Sequence, residues 1–132
     1  MTQEYDLAGR VIGFAMKVHR ALGPCFLENV YKNALCVELK NAGTQHVREE
    51  PIKVRYEGVE VGSFFADVFV ESTIIVELNA IEKLAAAHEV QVVNYLTATG
   101  IDDGLLLNFG ARSLDYKRKK RVLPGRAIPL QS

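Results

Sequence analysis

The amino-acid sequence predicts an α/β domain in which a mixed sheet of four or five strands carries helices on both faces. Three observations predict it. Apolar residues recur at helical spacing in two stretches before residue 43, extended runs punctuated by turn residues fill 46–79, and a third helical stretch precedes two further extended runs. At 132 residues the chain suits a single domain over 1–132, with a core at about 6–122 and a C-terminal tail at 123–132.

Leu7, Val11, Phe14, Ala15, Val18 and Leu22 recur at intervals of three and four, which makes 6–22 an amphipathic helix. Gly23-Pro24 stops it. A second helix is expected over about 26–42, with Leu27, Val30, Tyr31, Ala34, Leu35 and Leu39 facing inward and Gly43 closing its C-terminus. Residues 46–56 alternate in their second half, and Glu57-Gly58 has the composition of a hairpin turn. A strand over 59–70, a tight turn at Glu71-Ser72 and a strand over 73–79 follow. The third helix is expected over 83–99 and ends at Gly100. A strand over 101–109, near whose start Asp102-Asp103-Gly104 has turn composition, and a last strand over 114–122 complete the set.

Composition narrows the function. Hydrophobic residues at 48% and charged residues at 24% describe a soluble domain. A formal net charge of zero excludes a global basic field, so any nucleic-acid surface must be local. Cys25 and Cys36 have neither metal-ligand spacing nor the density of a disulfide framework, and as reduced thiols they suit a cytoplasmic protein. No leader pattern or membrane-length apolar run is present, so no membrane partner is expected. A homo-oligomer stays open.

Asp67 lies in Phe64-Phe-Ala-Asp-Val-Phe-Val70 and Glu77 in Thr73-Ile-Ile-Val-Glu-Leu-Asn79, two otherwise apolar runs. An ionised carboxylate among such neighbours is costly unless a cation or hydrogen bonds compensate it. On adjacent strands of a hairpin the two acids converge, and hard divalent cations take oxygen ligands of this kind. Glu77 and Asn79 share a strand face, while Leu78 points into the core and its backbone carbonyl can still reach an ion. Two carboxylates, a carbonyl and waters make the open shell that suits Mg²⁺, or Mn²⁺ in its place.

With these residues in view, the chain resembles the PD-(D/E)XK nuclease superfamily, and within it the GxxExxY family. An acid on one strand and Glu-x-Lys on the next, between helices, is the superfamily pattern. The naming motif stands as Gly23-Pro-Cys-Phe-Leu-Glu28-Asn-Val-Tyr31, in the longer form with the glycine set further from the acid. His88-Glu-Val-Gln91-Val-Val-Asn-Tyr95 matches a Q-x-x-x-Y helix signature, and Gly104-Leu-Leu-Leu-Asn-Phe-Gly110 matches the late strand. The resemblance spans roughly 6–122. It implies a nuclease-like fold, a Mg²⁺ or Mn²⁺ cofactor held by Asp67 and Glu77, Glu28 completing the acidic cluster, Gln91 meeting active-site or substrate groups, and Tyr95, ranked behind Gln91, contacting nucleic acid. Glu38 ranks behind Glu28, Tyr31 is read as packing, and His88 as a polar helix edge.

One departure matters. The superfamily lysine of Glu-x-Lys is Asn79, which keeps a hydrogen-bond donor but no charge. Loss of one preorganised electrostatic donor costs about 10²–10³ in rate. Lys83 lies near in sequence, at the expected start of the next helix. The run Lys117-Arg-Lys-Lys-Arg121 reads either as a solvated edge strand or as a phosphate-contacting ridge through Lys117, Lys119 and Arg121. The leading expectation is a metal-dependent, nuclease-like protein acting on DNA phosphodiesters, with activity reduced by Asn79. Its rivals are an inactive nucleic-acid-binding module and a structural or oligomeric interaction protein.

Overall fold

The computed structural model describes residues 6–122; the tail expected at 123–132 lies outside the described residues. The elements run α1 (Leu7–Leu22), α2 (Glu28–Asn41), β1 (His46–Tyr56), β2 (Val59–Val70), β3 (Ile74–Asn79), α3 (Ala86–Thr99), β4 (Asp103–Asn108) and β5 (Asp115–Lys120). The five strands form one sheet in sequence order. β1, β2 and β3 are an antiparallel meander, β3 and β4 pair in parallel across α3, and β5 returns antiparallel at the edge.

Alternation along the strands divides the core in two. Val68, Val70, Ile74, Val76, Leu78, Leu105 and Leu107 pack against α1 and α2. Ile52, Ala66, Ile75 and Leu106 pack against Val92, Tyr95 and Leu96 of α3. Helices therefore cover both faces, as the sequence predicts. Glu57-Gly58 and Glu71-Ser72 all adopt positive φ, the conformation a two-residue hairpin turn needs.

Four expectations are corrected. Leu27 caps α2 rather than joining its buried stripe, so it is 82% exposed, and Val30 is exposed with it. Lys32 is buried instead. α3 begins at Ala86, not at 83, and His88 Nδ1 accepts a hydrogen bond from the Ala85 N–H (2.9 Å) to close its first turn. Asp103 and Gly104 pair with Ile74 and Ile75 and so open β4, within the strand expected over 101–109, rather than forming a turn; a Cβ at Gly104 would lie 2.7 Å from Val92 Cγ1. No described helix is long and apolar enough to cross a membrane.

Candidate active site

The site begins where β2 and β3 part. Their pairing runs from Val70↔Ile74 to Val68↔Val76 and goes no further. Beyond it the backbone groups are satisfied by the two acids: the Asp67 N–H donates to Glu77 Oε1 (3.1 Å), and the Leu78 N–H donates to Asp67 Oδ2 (2.8 Å). Each strand thus lends a carboxylate to the other's backbone, which places Asp67 and Glu77 together in a half-buried fork. Burial, then the charge of Asp67, pushes the Glu77 carboxyl up to about 9.

Glu28, the first residue of α2, stands at the exposed rim of this fork. Its carboxyl is raised by partial burial and then by Asp67. Tyr31 explains why the acid stands there. Its buried ring stacks on Phe109 with centroids 4.6 Å apart, its hydroxyl donates to the Gly23 carbonyl, and it accepts from the Phe26 N–H (3.0 Å). The tyrosine therefore ties the loop that launches Glu28 to the late strand, and Gly23, at φ 74, makes the bend that a side chain would strain. The Gly104–Gly110 segment is architectural too. Asn108 Oδ1 accepts from the N–H groups of Ile81 (3.0 Å) and Gly110 (3.1 Å), holding the chain just beyond Asn79. Glu38 pairs with Lys17 (2.8 Å) and takes no part.

Gln91 and Tyr95 meet on α3, with Gln91 Nε2 donating to the Tyr95 hydroxyl (2.6 Å). The tyrosine hydroxyl is raised by burial, and the charges of Glu77 and Asp67 act on it in the same direction. The pair lines a cleft of about 980 Å³ between α3 and the β1–β2 hairpin, together with Phe64, Lys53 and Arg55. Phe64 and Tyr95 have ring centroids 5.5 Å apart.

Lys32, which the sequence reading passed over, enters the fork from α2. Its side chain is 7% exposed, and its ammonium pairs with Glu49 and with Asp67 Oδ1 (3.3 Å). A signal was present, since Lys32 is four residues after Glu28 and so shares its helix face. Lys83 is exposed, precedes α3, and makes no hydrogen bond or ion pair with the acids.

The basic run lies on edge strand β5 and its end. Lys119 pairs with Glu89 (2.8 Å), Arg121 with Asp102 (2.8 Å) and Arg118 with Asp6 (3.1 Å), and Lys120 pairs with Asp103. Lys117 has no ion pair among the described residues.

The PD-(D/E)XK nuclease superfamily model matches residues 5–121. The chain belongs to the PD-(D/E)XK nuclease superfamily. Members of this superfamily generally use divalent metal ions. Among solved structures the chain is similar to the crystal structure of SSO0001 (16% identity, TM-score 0.53), covering 72% of this chain and 51% of that one. It is also similar to an alkaline exonuclease, LHK-Exo, from Laribacter hongkongensis (11% identity, TM-score 0.52), covering 92% of this chain and 73% of that one. The chain thus spans about half of the first of these, and at such identities both likenesses establish fold alone. Among curated proteins, none matches.

A divalent cation fits the donors present. Among the described residues no group of three or more His, Cys, Asp or Glu side chains is placed to hold a metal ion, so the side-chain donors are the two acids alone. Burial and the charge of Asp67 resist ionisation of Glu77, each acid has one oxygen fixed by a backbone N–H, and Asp67 Oδ1 also meets Lys32. A divalent ion would supply the counter-charge that lets both acids ionise.

Proposed function

We propose that this chain is a divalent-metal-dependent nuclease of the GxxExxY family that acts on DNA phosphodiesters, with Mg²⁺ or Mn²⁺ as cofactor. The observation that carries this reading is the reciprocal lock of Asp67 and Glu77 across the β2–β3 fork. Asp67, Glu77 and the Leu78 carbonyl would hold the ion, and Glu28 would add charge from the rim. When bound, the ion supplies Lewis-acid stabilisation of the phosphate and a more acidic water. Asn79 offers a hydrogen-bond donor to orient the attacking water. Gln91 and Tyr95 face the substrate strand in the cleft, where Phe64 gives a base a stacking surface and Arg55 a cation for phosphate. Free thiols at Cys25 and Cys36 fit a cytoplasmic setting.

The uncharged Asn79 favours one second reading, a module that binds nucleic acid without cutting it. Incubation of supercoiled plasmid with the protein in Mg²⁺ or Mn²⁺, against EDTA, separates the two. Ion-dependent nicking is expected; DNA binding that is equal with and without the ion, and no nicking, would replace the nuclease by the module.

The β5 cations should contribute unequally to DNA affinity. Lys117→Ala is expected to lower the salt slope by up to about one unit, as one phosphate contact is lost. Arg121→Ala should change it less, because Asp102 already neutralises that guanidinium. Equal losses, read from affinities measured across a salt series, would show that the ion pair opens on binding.

A further inference from the structure

Resting on the nuclease reading, we propose that Lys32 supplies from α2 the active-site cation that β3 lacks at Asn79. Lysine is almost never buried unless paired, and here the pairing is specific. The ammonium bridges Asp67 Oδ1 (3.3 Å) and Glu49. Glu49 reaches it from within β1 with φ 55, a left-handed conformation that is unusual for a residue with a side chain. The hairpin register passes from Arg48↔Val68 to Glu50↔Ala66 on either side of this kink, so Glu49 lies level with Asp67. A backbone distortion and a buried lysine therefore converge on the acid that starts the site.

The two carboxylates hold the ammonium in place. It is fixed at the fork before substrate arrives, the condition under which a charge aids a transition state most. Lys32 lies one helical turn from Glu28, so α2 presents an acid and a cation to the same fork. Through Asp67 it acts as a positioning residue, and its charge balances that which builds on the phosphate.

The alternative for the same contact is an ammonium that occupies the cation's place and obstructs it. Cleavage of a labelled duplex and Mn²⁺ affinity, measured for wild type, Lys32→Met, Lys32→Arg and the double variant Lys32→Met/Asn79→Lys, distinguish the two. Lys32→Met keeps the apolar stem, and circular dichroism checks its fold. The proposal expects a fall in kcat of about 10²-fold or more in Lys32→Met with Mn²⁺ affinity retained or tightened. A merely structural lysine would lose both together. Lys32→Arg should recover part of the rate, and the double variant should cleave faster than Lys32→Met alone. A Lys32→Met protein that cleaves as fast as wild type or faster overturns the proposal alone. A wild type that binds Mn²⁺ and cleaves nothing overturns the nuclease reading and this proposal with it.

Discussion

In buffer stripped of divalent cations the protein is expected to lose stability as pH rises from about 4.5 to about 9, the ordinary and the folded positions of the Glu77 carboxyl. Between these values the folded chain keeps a proton that the unfolded chain has released. More protons bound in the folded state means that stability falls with rising pH. The contribution is fully present below the unfolded value and is lost as pH climbs through the folded one. For a single proton the slope approaches about 1.4 kcal/mol per pH unit. Glu77→Gln keeps an acceptor for the Asp67 N–H and removes the titration, so it should flatten the slope and melt higher than wild type near pH 8. Thermal melts in EDTA from pH 5 to 8.5 measure it. Parallel slopes in the two proteins would mean that Glu77 is ionised and compensated in the fold. Added Mn²⁺ should stabilise wild type most at high pH, where the ionised acid is the form that binds, and should stabilise Glu77→Gln less.

Tyr31→Ala should be the most destabilising change in α2. It removes a fully buried ring stacked on Phe109, and truncations of large buried aromatics cost about 3–5 kcal/mol. Tyr31→Phe keeps the ring and frees only the Gly23 carbonyl and the Phe26 N–H. It should cost about 0.5–1.5 kcal/mol. Because those two bonds fix the loop that launches Glu28, Tyr31→Phe should lower cleavage out of proportion to its stability loss. Urea denaturation beside a cleavage assay reads both. If Tyr31→Phe were as unstable as Tyr31→Ala, the hydroxyl rather than the ring would carry the packing.

Much of this architecture is legible in the sequence, and the failures share a cause. The α1 stripe, the two hairpin turns and the acids of β2 and β3 announce themselves through local pattern: spacing of three and four, consecutive turn residues, a carboxylate in an apolar run. The inward face of α2 is harder to read, because the loop tied by Tyr31 starts the helix at Glu28 and leaves Leu27 outside it. Gly104 has turn composition, but α3 packs against β4 so closely that the residue serves as a gap for Val92 and Leu96. Lys32 has the sequence character of a solvated helix residue. Only the approach of Asp67 and Glu49, distant in sequence, makes its burial favourable. Likewise the charge run on β5 reads as a uniform ridge until Glu89 and Asp102 arrive from other elements.

Calorimetric titration of Mn²⁺ into wild type and into the Asp67→Ala/Glu77→Ala double variant tests the metal site in the fork between β2 and β3 most directly. The double variant frees the N–H groups of residues 67 and 78 and leaves Lys32 with Glu49 alone, so circular dichroism and a thermal melt first establish that it is folded. Wild type is expected to bind Mn²⁺ saturably, and the folded double variant to lose that binding. Unchanged Mn²⁺ affinity in that variant would contradict the metal site.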